Sequence, residues 1–501
     1  MAFSDIFTID LSWQSLTPEL VVLLFALLSP LVALWDTDRK GMRQFTLIGL
    51  GGAFLITLGS LFEANWSIPG TGIKFTLEYI GLNVKDAYFI TEASQLLKAL
   101  FLGVAFVTVI GMGRPIKEAE KDLGEFYSLL MFATLGMMIV ASSRELVTMF
   151  IGIEIASMSS YLMAGFKRDG RGAEAGMKYF IVGAISGALT LFAISLLYVM
   201  TGTTMLDGIG AELANSTMVL VPVVMLLAGL GFKISSVPFH AWAPDVYDGA
   251  PAPIAGFLAG ASKAMGFVAL FQIFLVSLGS MKADWELIVA LIATASMFYG
   301  NLVAIQQQSV ARMLAYSSIA QAGYILIALA AGSWYALGGG ILHLVVNAAM
   351  KLGAFLILGA LITAGLNGSV DSFKGLGRKA PFLAFAMTIF VLSMAGLPPF
   401  GGFVSKFILF SGAIEVGIGQ GKEWLIWLAI IAVVNSAISL VYYVRLMRVM
   451  FVENQEETET LHIPTSVKLA VLTCLLAVLG IGLYPTHLID AAMGAAQAML
   501  S

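Results

Sequence analysis

Apolar residues in this chain do not alternate with polar ones. They run, with few charges among them, for about 17 residues or more, the length a helix needs to cross a hydrocarbon core. Fourteen such runs can be drawn, over 18–35, 44–62, 93–113, 126–142, 146–166, 177–201, 217–236, 253–279, 285–306, 312–331, 335–365, 381–415, 424–451 and 465–484. Each predicts a transmembrane helix, because a segment in lipid must satisfy its own backbone and a helix does so within itself. The longest runs exceed one perpendicular crossing and are predicted to be tilted or broken. The expected fold class is therefore an all-α polytopic membrane protein of about 14 transmembrane helices. A 59% hydrophobic content, 12% charged residues and a mean hydropathy of +0.92 agree with it. No shift in composition marks a soluble domain, so a single membrane domain is expected over 1–501, and the acidic stretch 453–459 (ENQEETE) is read as a solvated loop.

Charge position matters more in a bilayer than the net charge of −4. Arg39, Lys40 and Arg43; Arg114, Lys117 and Lys121; Lys167, Arg168 and Arg171; Arg312; Lys374, Arg378 and Lys379; and Arg445 and Arg448 fall in alternate loops. Those loops are cytoplasmic by the positive-inside rule, and both termini are then expected outside. The opposite 202–216 connection carries Asp207 and Glu212 and no base. The opening MAFSDIFTIDLSWQ has acids and no Lys or Arg, so the first helix is expected to be retained and not cleaved as a signal. The single Cys474 cannot form an intrachain disulfide or a cysteine-built metal or iron-sulfur site.

A charged side chain at mid-bilayer costs several kcal/mol and needs a reason to be there. Glu154 lies in the fifth span, Lys233 in the seventh, Lys263 in the eighth, Lys351 in the eleventh and Lys406 in the twelfth. His343, Asn347 and Lys351 follow at i, i+4 and i+8, along one helix face. Two readings stay open for Lys351 and Lys406: intramembrane groups, or side chains near helix ends that snorkel to the headgroups. Asp245 and Asp248, in AWAPDVYDGAP, are read as helix caps or partner contacts.

The segment GLGFKISSVPFH, Gly229 to His240, sets Lys233, Ser235, Ser236 and Pro238 where a helix should continue. The twelfth span repeats the device, with Pro398, Pro399, Gly401 and Gly402 ahead of Lys406. Broken helices free backbone groups inside the membrane, and paired interruptions in two halves point to inverted repeats. Helices 4–8 and 9–13 are then two five-helix repeats with broken helices 7 and 12. The expected parts are 1–122 (helices 1–3), 123–282 (first repeat), 283–452 (second repeat) and 453–501 (C-terminal helix). Buried lysines suit protons better than a solute, since desolvation favours the neutral amine and an approaching carboxylate the ammonium. Glu154 would be the switch for Lys233, and His343, Ser235 and Ser236 with water would bridge between lysines. No Walker A pattern is present to use ATP.

The stretches EFYSLLMFATLGMMIVASSRELVTMFIGIEIASMSSYLMAGF, GLGFKISSVPFHAWAPDVYDGAPAPIAGFLAGASKAMGF and RMLAYSSIAQAGYIL resemble the antiporter-like membrane subunits of respiratory complex I, and the subunit N group in particular. The resemblance runs from the first span to the thirteenth. It implies that Glu154 is the family's fifth-helix glutamate, Lys233 its seventh-helix lysine, Lys263 the eighth-helix connecting lysine and Lys406 the twelfth-helix lysine. His343 and Lys351 depart from many subunit N sequences and are more like the sister antiporter subunits. The resemblance extends to F420-dependent, ferredoxin-dependent and photosynthetic versions of the complex. It implies a proton-translocating subunit of an NADH-quinone oxidoreductase-like assembly, itself without cofactors. Iron-sulfur clusters, flavin and quinone would sit in partner subunits: sister antiporter-like subunits, small membrane subunits and a peripheral redox arm. A prokaryotic plasma membrane is the expected location, with no nucleic-acid partner. The alternative from the same fold is a subunit of a multisubunit cation/proton antiporter without a redox partner.

Overall fold

The computed structural model describes residues 16–35, 40–61, 65–67, 74–76, 83–84, 87–112, 122–213, 219–453 and 460–500. Arg39, Arg114, Lys117, Lys121, most of the acidic stretch and the opening residues lie outside them. Two helices come first, α1 (Thr17–Trp35) and α2 (Lys40–Leu61), followed by two short antiparallel hairpins, Asn65–Ser67 with Lys74–Thr76 and Asn83–Val84 with Tyr88–Phe89. Next are α3 (Glu92–Gly111), α4 (Leu123–Ser142), α5 (Leu146–Ala164), α6 (Gly170–Thr201) and the short α7 (Leu206–Glu212). The first broken helix is α8 (Leu220–Ile234) with α9 (Trp242–Gly249). The eighth span, Ala252–Ser277, consists of α10 (Ala252–Phe257), a π-helical turn (Leu258–Ser262), α11 (Lys263–Phe271) and a second π-helical turn (Gln272–Ser277). Then follow α12 (Lys282–Ile305), α13 (Val310–Ala331), α14 (Trp334–Thr363) and α15 (Leu376–Lys379). The second broken helix is α16 (Pro381–Ala395) with α17 (Gly401–Gly419), and α18 (Glu423–Phe451), α19 (Thr465–Leu483) and α20 (Thr486–Leu500) close the chain.

Among the described residues, 13 helices are long and apolar enough to cross a membrane, and the broken seventh span supplies the shorter Leu220–Ile234. All fourteen expected spans are present. The sixth begins earlier than its apolar run, because the Asp169 carboxylate caps it at Gly172 and a charged turn precedes the membrane. Two expectations change. The 202–216 connection contains α7, and 453–501 holds two helices, since α20 packs its Ala492, Ala495, Ala496 and Met499 face against α14 and α3. At 15 residues with alternating burial it leaves no long apolar run to find.

One hairpin is built twice. In α4–α5, a Cβ on Gly136 would lie 2.6 Å from the Ala156 nitrogen, and in α12–α13 one on Gly300 would lie 2.6 Å from the Ala320 nitrogen. Both contacts bring helix backbones together across a small residue, the usual means of helix association in lipid. The same spacing relates the helix starts: Leu146 donates to the Thr204 carbonyl and Val310 to that of Gly368, both 2.9–3.0 Å. Their N-caps, Glu145 and Ser309, bridge to Met205 and Ser369. The helix α14 is the hub, buried along almost all its length and packed on α13, α16, α17, α19, α20 and the eighth span.

Candidate functional site

In the first half, α5 carries Glu154, Ser157 and Tyr161 on one face, spaced by three and four residues. That face meets α6, where a Cβ on Gly187 would sit 2.8 Å from Glu154 Oε1. Lys233, in the last turn of α8, is buried, and its Nζ donates to Ser157 Oγ at 2.8 Å. Glu154 is half-buried and is not within ion-pair distance of Lys233 among the described residues. The expected Glu154 to Lys233 pair is thus open: both line one small cavity, about 10 Å3, room for about one water.

The break that follows is fully accounted for. Ser235 takes a left-handed conformation with φ 59°, and the carbonyls it frees are capped. That of Phe232 accepts from the Trp242 indole at 3.0 Å, and that of Gly231 from the Ser236 nitrogen at 2.9 Å and the Ser236 hydroxyl at 3.3 Å. The Val237–Pro238 and Pro398–Pro399 bonds are both cis. Tyr247 of α9 places its phenol near the hydroxyls of Ser235 and Ser318, both buried and neither closing a hydrogen bond. Ser318 in turn accepts, through its carbonyl, from Lys263 Nζ at 2.9 Å. Lys263 stands at the end of the first π-helical turn, a local feature that tends to occur at functional sites.

In the second half the snorkelling alternative is settled. Lys351 is 0% exposed and Lys406 4%, so both are interior groups. Lys351 Nζ donates to the Leu314 carbonyl at 2.9 Å and to Ser317 Oγ at 2.7 Å, and Ser317 Oγ is 2.5 Å from the Tyr443 hydroxyl. His343 bridges Gln321 Oε1 through Nε2 and Ser405 Oγ through Nδ1, both at 2.9 Å. Because Gln321 accepts there, Nε2 carries the proton, and Nδ1 competes with the Gly401 carbonyl for the single Ser405 proton. Asn347, on the same face, keeps a buried Oδ1 without a partner. Gln321 Nε2 and Lys406 Nζ both donate to the Met394 carbonyl, at 2.9 and 2.8 Å, and Lys406 adds Ser436 Oγ at 3.0 Å. Met394 lies in the last turn of α16, so the break supplies the acceptor; the Lys233 and Lys406 nitrogens both sit at the C-terminal end of a half-helix.

Asp245 and Asp248 are not caps. Asp245 pairs with Lys178 at 2.7 Å and Arg312 at 2.8 Å, and Asp248 accepts from Ser309 Oγ at 2.6 Å, tying α6, α9 and α13 at one end of the bundle. Sequence reasoning missed Gln321, Tyr324, Ser317 and Tyr443, each an ordinary polar residue whose role depends on what packs opposite. It also missed Lys98, fully buried and 2.6 Å from Glu19, with Tyr88 donating to Glu19 at 2.7 Å. Lys98 lies inside the third apolar run, so the rule that found the other lysines would have found it. Among the described residues no three His, Cys, Asp or Glu side chains come together as metal ligands.

A family model described as the NADH:quinone oxidoreductase/Mrp antiporter transmembrane family matches residues 143–439. The chain belongs to this family. Its relatives cover it nearly end to end. The F(420)H(2) dehydrogenase subunit N of Methanosarcina mazei is 40% identical over 97% of this chain and 98% of its own. NADH-quinone oxidoreductase subunit N of Desulforamulus reducens is 35% identical over 98% and 99%. Among solved structures, respiratory complex I of Thermus thermophilus contains a chain 30% identical, with a TM-score of 0.77 over 94% of this chain and 98% of that one. A chain of the Mrp complex of Dietzia sp. has a TM-score of 0.80 at 19% identity, a likeness of fold alone. The NADH:quinone oxidoreductase/Mrp family thus spans both assemblies between which the sequence left a choice.

Proposed function

We propose that this chain is the proton-translocating membrane subunit of a redox-driven, NADH-quinone oxidoreductase-like complex. The observation that carries the reading is the set of four buried lysines, Lys233, Lys263, Lys351 and Lys406, spread over both halves and each donating to a hydroxyl or a carbonyl. The names of the subunit N relatives support it, and the likeness to the Mrp complex, at 19% identity, supports only the fold. The chain itself has no redox step; the donor and a quinone or similar carrier would meet flavin and iron-sulfur centres in partner subunits. Sister membrane subunits and a peripheral arm are the partners, in a prokaryotic plasma membrane with the Lys- and Arg-rich loops inside.

A charge change in a neighbouring subunit moves the Glu154 carboxylate relative to Lys233 and so changes how strongly the ammonium is favoured. The released proton crosses the Ser235, Tyr247 and Ser318 region to Lys263, then Lys351. From there it passes His343, through Gln321 and Ser405, to Lys406 and the outer side. Lys233→Ala tests the scheme in the assembled complex reconstituted into vesicles. Donor-driven acidification is expected to be lost with assembly intact, and normal pumping would refute it. Gentle purification with mass spectrometry decides between the two assemblies: co-purifying iron-sulfur subunits support the oxidoreductase, and antiporter subunits alone support cation/proton exchange.

A further inference from the structure

The two lysines at helix breaks are held differently, and the spacing of the doubled hairpin shows how. Counting nine residues from the N-cap Glu145 reaches Glu154; nine from the N-cap Ser309 reaches Ser318. The left-handed residues at the two breaks, Ser235 (φ 59°) and Gly396 (φ 85°), likewise align Lys233 with Met394, two residues before each. The second half therefore has serine in the place of the carboxylate and methionine in the place of the lysine. Lys406 reaches the same break from the helix after it.

A buried ammonium without a carboxylate needs another source of negative potential. Among the described residues no carboxylate lies in ion-pair reach of Lys406, and its two hydrogen bonds are to the Met394 carbonyl and Ser436 Oγ, both neutral. Its Nζ also stands 4.1 Å from the centroid of the fully buried Tyr324 ring, closer than Lys233 stands to Tyr179, at 6.0 Å. The ring is fixed at its far end, where Asn301 Nδ2 donates to the Tyr324 hydroxyl at 3.2 Å. Asn301 is held in turn by the Asn435 carbonyl at 3.0 Å and by Tyr442 donating to Asn301 Oδ1 at 3.0 Å. The other titratable groups toward Lys406 are His343 and Lys351 from α14, while Tyr442 and Tyr443 of α18 bond Asn301 and Ser317. No titratable side chain belongs to α16, and Cys474 of α19 packs against Gly353 of α14.

We infer that Tyr324 is a positioning residue for proton transfer at Lys406, its π face replacing in the second half the carboxylate that Glu154 supplies in the first. This deepens the proton path proposed above and rests on it. Unlike a carboxylate, a ring braced by Asn301 cannot swing away, so the second half offers a fixed attraction where the first offers a movable one.

The test uses the assembled complex in vesicles and reads the pH profile of donor-driven pumping. Position 324 carries phenylalanine (Tyr324→Phe), then phenylalanines with one, two and three ring fluorines, which keep the shape and weaken the π face; Tyr324→Leu removes the ring. Relative to Tyr324→Phe, successive fluorines are expected to move the alkaline limb to lower pH, by about one unit at three fluorines, a tenfold loss of proton affinity. Tyr324→Leu is expected to move it at least as far. Superimposable profiles across the fluorine series, with Lys406→Ala unable to pump, would overturn the inference and leave the path standing. Normal pumping by Lys406→Ala would overturn both. The fluorinated series decides the matter even where Tyr324→Leu fails to assemble.

Discussion

Gly187→Ala isolates the placement of the Glu154 carboxylate without touching a charged residue. The added Cβ would meet Glu154 Oε1 at 2.8 Å, against an ordinary contact of 3.4 Å or more, so the carboxylate must retreat by about 0.6 Å. It is the far end of a flexible side chain, and the retreat is cheap. The helix gains about 1 kcal/mol of propensity from glycine to alanine, so the variant should be no less stable than the parent. The methyl also enters a cavity of about 10 Å3, and so takes the space that a bridging water between Glu154 and Lys233 would need. Misplacement of a reacting group by 1 Å costs about a hundredfold in enzymes, and for a shift of about 0.6 Å a fall in pumping of about threefold to tenfold is expected. Fluorescence quenching of an acridine dye in vesicles carrying the assembled complex measures pumping, and thermal unfolding in detergent measures stability. Wild-type pumping by Gly187→Ala, with Glu154→Gln inactive in the same vesicles, would refute the role given to the cavity and the carboxylate's position.

Ser235→Gly should stabilise the chain by about 1 kcal/mol, since a non-glycine residue at φ 59° carries that strain, while slowing pumping through loss of the hydroxyl near Tyr247. Faster or unchanged pumping would take Ser235 out of the path. His343→Gln can keep hydrogen bonds to Gln321 and Ser405 but cannot take up a proton; assembly should hold and pumping fall, and equal pumping would make His343 a packing residue only. Burial raises the Asp245 carboxyl, yet hydrogen bonds from Lys178 and Arg312 more than reverse this and hold it below its ordinary 3.8. Its contribution to stability is whole above pH 3.8 and is lost as the pH falls below that value. Asp245→Asn should therefore cost about 1 kcal/mol or less at pH 7, these side chains being partly exposed, and progressively less as the pH falls below 3.8; a loss that does not shrink in acid would refute the ion-pair reading.

Run length alone located the fourteen spans, because lipid allows an unpaired backbone little but a helix. Proline and glycine beside a lysine located both breaks for the same reason. The partners of those lysines were not legible. Ser157, Ser318, Gln321 and the Met394 carbonyl are chosen by which helices pack together, and a carbonyl acceptor leaves no mark in side-chain type. Charge complementarity suggested Glu154 as the switch for Lys233 but not their separation: the close approach of α5 and α6 at Gly187 sets the carboxylate beside the cavity, and Ser157 takes the Lys233 nitrogen. The short amphipathic α20 and the π-helical turns of the eighth span depend on tertiary packing and have no run or motif of their own.

Lys98 shows what would separate a buried lysine of the proposed path from a structural one. Its Nζ is 2.6 Å from Glu19, and Tyr88 closes on the same carboxylate, fixing α1, the Tyr88–Phe89 strand and α3 to one another. Separating such a pair would leave two buried polar groups without partners in a poor solvent. Lys233, Lys263, Lys351 and Lys406 instead donate to hydroxyls and carbonyls, which accept a hydrogen bond from an ammonium and, more weakly, from a neutral amine. On the proposed path these contacts would hold the nitrogen in place in either state. On the proposed path a proton would leave each of these four with its positioning contacts weakened but not lost, whereas Lys98 is closed on a carboxylate.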